Sequence, residues 1–240
     1  MPSHPFDHPF DFAASFSADY AQARARFLAA ARDAGGALRA YDNPLTGPEG
    51  EALSTDTAWF GPDDAKNVLV LQSGTHGVEG FTGSGAILDW LGADGALDLP
   101  ADLAVLAIHA INPHGFAWLR RVTEENVDLN RNFVDFDKPL PENPGHDELA
   151  DALVPSALSG PVFEAAEAKI SAWRAQHGET AFYIARGGGQ YKHAQSMFYG
   201  GNGPTWSRGT LETIMDDHTL GGRAQVAIID YHTGLGPFGY

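Results

Sequence analysis

The 240-residue chain contains no cysteine. No disulfide can form, and neither a thiolate metal cage nor a cysteine nucleophile is available. Basic residues are scarce: 15 Lys and Arg stand against 31 Asp and Glu, a formal net charge of −16. That balance argues against nucleic-acid or anionic-membrane partners, which need clustered positive charge. It suits a protein that repels its own copies. Long apolar runs are lacking too, since no window approaches the about 20 residues that a membrane span needs. The opening Met1-Pro2-Ser3-His4-Pro5-Phe6-Asp7 is neither basic nor apolar, so no signal peptide is expected and a cytoplasmic location is. Gly83-x-Gly85 lacks the third glycine of a dinucleotide fingerprint, and no serine sits in a Gly-x-Ser-x-Gly elbow.

Hydrophobic residues make up 43% of the chain, enough for a substantial core. Residues 16–34 carry Phe16, Tyr20, Phe27 and Leu28 at helical spacing and end at Gly35-Gly36. Residues 51–60 suit a strand, and 67–72 and 103–109 read as short, continuous, buried strands. Residues 82–91, 162–176 and 205–219 read as helices. Residues 180–185 read as a strand and 225–231 as a further buried strand. The Pro-, Asn- and Asp-rich stretch from Asn112 to about Pro161 reads as irregular. Apolar strands alternating with helices indicate an α/β fold, with a mixed, mostly parallel central sheet and helices on both faces. A single domain, 1–240, is expected.

One stretch stands out: Ser73-Gly74-Thr75-His76-Gly77-Val78-Glu79-Gly80 follows the apolar run Val68 to Leu71. His76 and Glu79, in a glycine-rich turn after a strand, can face one metal ion. His232 ends another apolar run, inside Asp230-Tyr231-His232-Thr233-Gly234. Two imidazoles and one carboxylate form the donor set of a hydrolytic zinc site and need no thiolate. All three fall at the C-terminal ends of strands, where open α/β sheets bind ligands. Asp230 shares a strand face with His232 and reads either as its outer partner or as a satisfied strand-end carboxylate. Arg120, Arg121 and Arg131 concentrate positive charge in this acidic chain, and the arginine fork suits a carboxylate. His109, His114, His146, His177, His193 and His218 show no paired spacing and read as structural or exposed, with His114 lying nearest the proposed site.

Four motifs occur in order: His76-x-x-Glu79, Asn112-Pro113-x-Gly115, Asp128-Leu129-Asn130-Arg131-Asn132-Phe133, and His232. On these the chain resembles the zinc carboxypeptidase (metallocarboxypeptidase) family. Gly188-Gly189-Gln190-Tyr191 and Phe198-Tyr199-Gly200-Gly201 give it the look of an uncharacterised bacterial branch. The resemblance covers about residues 65–240, the metal-binding core, and leaves 1–60 without a clear match. It implies that His76, Glu79 and His232 bind Zn²⁺ and that Asn130 and Arg131 hold a terminal carboxylate. It implies further that Arg120 or Arg121, which the spacing does not separate, polarises the scissile carbonyl. The implied activity is hydrolysis of an amide next to a free carboxylate, in a peptide or an N-acyl amino acid.

The family's general base is a glutamate well downstream of the last zinc histidine. Eight residues follow His232, none of them acidic, and Tyr240 does not match the family's substrate-capping tyrosine. The expectation is therefore a C-terminally incomplete zinc carboxypeptidase-like domain. It would be a fragment, one half of a split enzyme, or a shortened binding protein that does not hydrolyse. Glu124, Glu125, Asp128 and Asp230 are the carboxylates present that could replace the base. An incomplete sheet would expose an edge, so association with a copy of itself, or with a second chain supplying the glutamate, is expected.

Overall fold

The apolar runs on either side of the glycine-rich turn become the centre of a five-stranded sheet. The computed structural model describes residues 12–96 and 98–234. Its strands are β1 (Ala37–Thr46), β2 (Ala52–Phe60), β3 (Asn67–Ser73), β4 (Leu103–His109) and β5 (Gln225–Tyr231). They lie in the order β1-β2-β4-β3-β5. β1 pairs with β2 and β2 with β4 antiparallel, whereas β3 pairs with both β4 and β5 in parallel. The helices are α1 (Tyr20–Asp33), α2 (Gly80–Gly92), α3 (Pro113–Ala117), α4 (Pro144–Leu153), α5 (Pro161–His177), α6 (Glu179–Gly187) and α7 (Trp206–Asp217). The fold is a mixed α/β sheet flanked by helices.

Two compact units share these elements. One holds the described residues up to Arg121 together with those from Thr213 on, and the other is Val122–Glu212. In the first, Asp19 caps α1 by accepting the Gln22 N–H at 2.8 Å. Tyr20, Ala23, Phe27 and Ala31 then recur on one face of α1 and are buried. They meet α2 and one face of the sheet in a core of Phe27, Ala31, Ala58, Phe60, Leu71, Ile87, Leu91, Val105 and Ala107. Truncating a ring at its centre, as in Phe27→Ala, costs about 3–5 kcal/mol. Side chains alternate along a strand, so Trp59 points to the opposite face from Ala58 and Phe60. There His218 stacks on it, ring centroids 5.2 Å apart, just beyond the end of α7.

The structure corrects several expectations. Residues 180–185 belong to α6, not to a strand. Residues 181, 182 and 185 turn inward at helical spacing while Tyr183 and Ile184 stay out, which overrides the strand propensity of that apolar run. β5 is not buried: among the described residues it pairs on one side only, and Val226, Ile228 and Ile229 are exposed. β1 was not expected, because its solvent-facing residues and Pro44 carry no apolar alternation. The stretch expected to be irregular contains α3, a 3-10 turn at Leu129–Arg131, and α4. Asn143 starts α4 by accepting the His146 N–H at 3.1 Å ahead of Pro144.

Candidate metal centre

The parallel register of β3 and β5 builds the site. It places Ser73 opposite Tyr231, so both strands end at the same level. Residues just beyond those ends, His76 and His232, are thereby brought together, and their ring centroids lie 4.9 Å apart at 82°. After β3 the chain turns at Gly74, whose φ of +74° is left-handed. A 3-10 turn, Gly77–Glu79, follows and leads directly into α2. His76 is buried at the head of that turn. Its carbonyl accepts the Glu79 N–H at 3.0 Å, which fixes the two side chains one turn apart. From the other strand end, the Thr233 N–H donates to Glu79 Oε2 at 2.6 Å. His76, Glu79 and His232 therefore share one corner of the first unit.

The loop after β4 forms the third wall. Asn112 caps α3, its Oδ1 accepting the Gly115 N–H at 2.8 Å. The Ile111 and Asn112 N–H groups donate to the Ser73 and Gly74 carbonyls at 2.9 and 3.1 Å. Further along, the Gly77 N–H donates to the Arg121 carbonyl at 3.2 Å and the Val78 N–H to the Arg120 carbonyl at 3.0 Å. Arg121 Nη2 donates to His76 Nε2 at 2.7 Å, and its Nη1 donates to Glu79 Oε1 at 3.2 Å.

Among the described residues, no three or more His, Cys, Asp or Glu side chains are arranged as a ready metal cage. The guanidinium of Arg121 lies between His76 and Glu79 instead. The donor set nonetheless fits a zinc ion chemically, being two imidazoles and a carboxylate. The point on which an imidazole nitrogen and a carboxylate oxygen converge already attracts a positive group.

Behind His232 runs a polar relay that the sequence did not disclose. Asp230 Oδ2 lies 3.3 Å from His232 Nδ1. Thr75 Oγ1 donates to the Asp230 carboxylate, at 2.8 Å to Oδ2, and accepts from Gln72 Nε2 at 2.9 Å. Burial raises the Asp230 carboxyl above the usual carboxylate range, against the opposing hydrogen bond from Thr75. The Asp230 carboxylate thus stands beside His232 and is at the same time engaged by Thr75. The Gln72-x-x-Thr75 spacing at a strand end was the one available signal.

Asn130 and Arg131 belong to the second unit. Asp128 caps their 3-10 turn, accepting the Asn130 N–H at 3.1 Å. Arg131 Nη2 donates to the Gly187 carbonyl at 3.1 Å, and Tyr191 Oη donates to the Arg131 carbonyl at 2.7 Å. Gly189, with φ +91°, lets the backbone cross the Arg131 stem: a Cβ there would come within 2.8 Å of Arg131 Cδ. Arg131 Nε is buried and has no hydrogen-bond partner among the described residues. Of the candidate bases in this unit, Asp128 is buried as a cap and Glu125 Oε2 accepts from Thr123 Oγ1 at 2.7 Å. His146, read as structural or exposed, is buried with both ring nitrogens engaged, 3.0 Å from the Ala185 carbonyl and 2.9 Å from Ser196 Oγ.

Residues 16–240 match the family described as "Protein of unknown function (DUF2817)". No curated protein matches the sequence. Among solved structures, the chain is similar to a Porphyromonas gingivalis glutaminyl cyclase at 12% identity and a TM-score of 0.32, covering 94% of this chain and 88% of that one. It is similar to a Zn-dependent exopeptidase from Parabacteroides distasonis at 13% identity and a TM-score of 0.32, covering 96% and 87%. A Macrostomum lignano glutaminyl cyclase gives 10% identity and a TM-score of 0.33, covering 93% and 75%. At these identities and TM-scores the likeness adds nothing to what the chain's own strands and helices show.

Proposed function

The chain belongs to the DUF2817 family, and we propose that it is a zinc-dependent hydrolase that cleaves an amide next to a free carboxylate. Its substrates would be peptides, cleaved as by a carboxypeptidase, or N-acyl amino acids. The observation that carries this reading is that His76, Glu79 and His232 lie together beyond the ends of two parallel strands, with the Arg121 guanidinium drawn in between His76 and Glu79. The resemblance of the four ordered motifs to zinc carboxypeptidases supports it.

His76, Glu79 and His232 would hold the metal, and Arg121 would leave His76 and Glu79 to make room. Zinc supplies Lewis acidity, which activates water for attack near neutral pH. The chain's own residues do the rest. Asp230, held by Thr75, orients His232 through Nδ1. Arg121, once displaced, remains one loop away from the reacting centre and can donate to the scissile carbonyl oxygen as charge develops there. Arg120 is its exposed neighbour for the same role. Removing one such donor costs about 10²- to 10³-fold in rate. Asn130 and Arg131 would take the terminal carboxylate. The planar guanidinium fork of Arg131 suits a carboxylate.

The test is hydrolysis of a mixed panel of blocked dipeptides and N-acyl amino acids by the zinc-loaded protein, with Glu79→Ala as the metal-site control. Turnover of free-acid substrates that disappears in Glu79→Ala is the expected result. C-terminally amidated analogues should react at least about tenfold more slowly, and Arg131→Ala should erase that difference. Equal rates on acid and amide in the unaltered protein would remove the carboxylate clamp. Zinc bound at the site with no turnover of any compound would reduce the protein to a metal-binding module.

A further inference from the structure

We propose that residues 187–191, clasped by residues 198–201, form a socket that sets the position of Arg131, with Gly189 and Tyr191 as positioning residues for recognition of a free carboxylate. The inference rests on the reading of Arg131 as the carboxylate clamp. It gives a part to two glycine-rich stretches, Gly188-Gly189-Gln190-Tyr191 and Phe198-Tyr199-Gly200-Gly201, that the hydrolase reading leaves unused.

The first stretch meets Arg131 at three points. The Gly187 carbonyl accepts from Arg131 Nη2 at 3.1 Å and so fixes one end of the guanidinium. The backbone of Gly189 crosses the stem, where a Cβ would come within 2.8 Å of Arg131 Cδ and 3.0 Å of Nε. The Tyr191 hydroxyl donates to the Arg131 carbonyl at 2.7 Å. Head, stem and main chain of one arginine are therefore held by a single short segment. Burial raises the Tyr191 phenol above the usual tyrosine range, so the hydroxyl keeps the proton that it donates.

The second stretch holds the first and grips the residues flanking the arginine. The Gln190 N–H donates to the Phe198 carbonyl at 3.1 Å and the Gly200 N–H to the Gln190 carbonyl at 2.8 Å, a parallel bridge between Gln190 and Tyr199. The Tyr191 ring lies against the Gly200 backbone, where a Cβ would come within 2.2 Å of Tyr191 Cε1. The Tyr199 carbonyl accepts the Asp128 N–H at 2.8 Å, and the Gly200 carbonyl accepts from Asn132 Nδ2 at 2.9 Å. The turn that carries Asn130 and Arg131 is thus pinned on both sides, and every one of these contacts lies within Val122–Glu212. An arginine binds a carboxylate through a planar fork, so its orientation decides the strength of the pair. A side chain already held in one conformation also loses less freedom when it binds.

The test compares N-benzoylglycine with N-benzoylglycinamide on the zinc-loaded protein. kcat and KM are read where the compounds are turned over, and Kd by calorimetry where they are not. Tyr191→Phe removes a single oxygen. It should raise KM or Kd for the acid about two- to tenfold, the worth of one hydrogen bond, while kcat and the values for the amide stay as they were. Gly189→Ala drives a Cβ onto the arginine stem and should weaken the acid further. The Arg131 Nε–H resonance, assigned by its loss in Arg131→Lys, reads the socket with no substrate present. It should shift in both variants while the rest of the spectrum holds. A preference for the acid that survives in every folded variant overturns the proposal. So does a loss that falls equally on acid and amide, which marks a purely structural role. If the unaltered protein does not distinguish acid from amide, the clamp reading fails, and the resonance then decides the socket. Unmoved in Tyr191→Phe, it overturns the socket; moved, it keeps the socket and removes only the carboxylate. Should Gly189→Ala fail to fold, Tyr191→Phe carries the same comparison alone.

Discussion

His109 shows how one buried residue sets a limit on the molecule. It ends β4 with no exposed surface, stacks on Phe27 at 4.8 Å and 14°, and has its Nε2 2.9 Å from Ser84 Oγ. Burial pushes the imidazole down to about 3, and the positive charge of Arg24 on α1 lowers it further. Asp56, its partner across the β2–β4 ladder, does not offset this, being engaged by Arg24 at 2.6 Å. The folded protein therefore keeps His109 neutral while the unfolded chain takes up a proton below about pH 6.5. Stability from this group is complete above that value and falls steadily as pH drops towards the folded value near 3. The whole loss is on the order of 4–5 kcal/mol. Urea unfolding at pH 7, 6, 5 and 4 checks it. His109→Phe should be less stable at pH 7, by about 1–3 kcal/mol for the Ser84 hydroxyl it leaves buried, yet should lose less on acidification. Parallel pH slopes for the two proteins would place the acid-sensitive group elsewhere. The sequence showed His109 only as an unpaired histidine at a strand end. Its neutrality depends on Phe27 and Ser84, which come from α1 and α2.

At the scale of elements, the turn between β3 and α2 controls the centre. An added Cβ at Gly77 would run into the Gly115–Phe116 backbone. Gly77→Ala must therefore push the 3-10 turn away from α3, carrying His76 and Glu79 with it. Overpacking of this sort costs about 1–3 kcal/mol, and the displaced ligands should bind zinc at least about tenfold more weakly. Competition with a chromophoric chelator measures the second effect independently of activity. Native affinity in Gly77→Ala would mean that the turn does not position the ligands. How legible each element was follows from its surroundings. β3 and β4 are covered on both faces and read as unbroken apolar runs. β1 faces solvent and does not, and α6 hides behind Phe182-Tyr183-Ile184. The proximity of His76, Glu79 and His232 was legible, because they follow the apolar runs of two strands and parallel pairing brings those strand ends together. That the Arg121 side chain meets His76 and Glu79 was not legible, since it depends on which carbonyl meets Gly77 and which meets Val78. The relay from Thr75 to Asp230 was not either, because it joins residues 155 apart in the chain.

For the whole molecule, the proposed metal in the first unit would become a stability term. His76 and Glu79 come from one end of the sequence and His232 from the other, so the ligands that zinc would join hold β3, α2 and β5 together. β5 is an edge strand of the sheet among the described residues, so a tie to β3 and α2 would hold it in place. An ion that binds the folded chain and not the unfolded one stabilises by about 2.7 kcal/mol at a hundredfold excess over Kd. In a protein of this length that amounts to about 5–10 °C in melting temperature. Calorimetric scans with zinc and with a chelator should show that rise, and Glu79→Ala should remove it. If zinc and chelator give the same melting temperature in the unaltered protein, the three residues do not hold the ion. The scans also test the division of the chain. His76, Glu79 and His232 all lie in the first unit, whereas Asn130 and Arg131 lie in Val122–Glu212. If the units melt separately, zinc should raise the transition of the sheet unit, and a free-acid substrate analogue should raise that of the other.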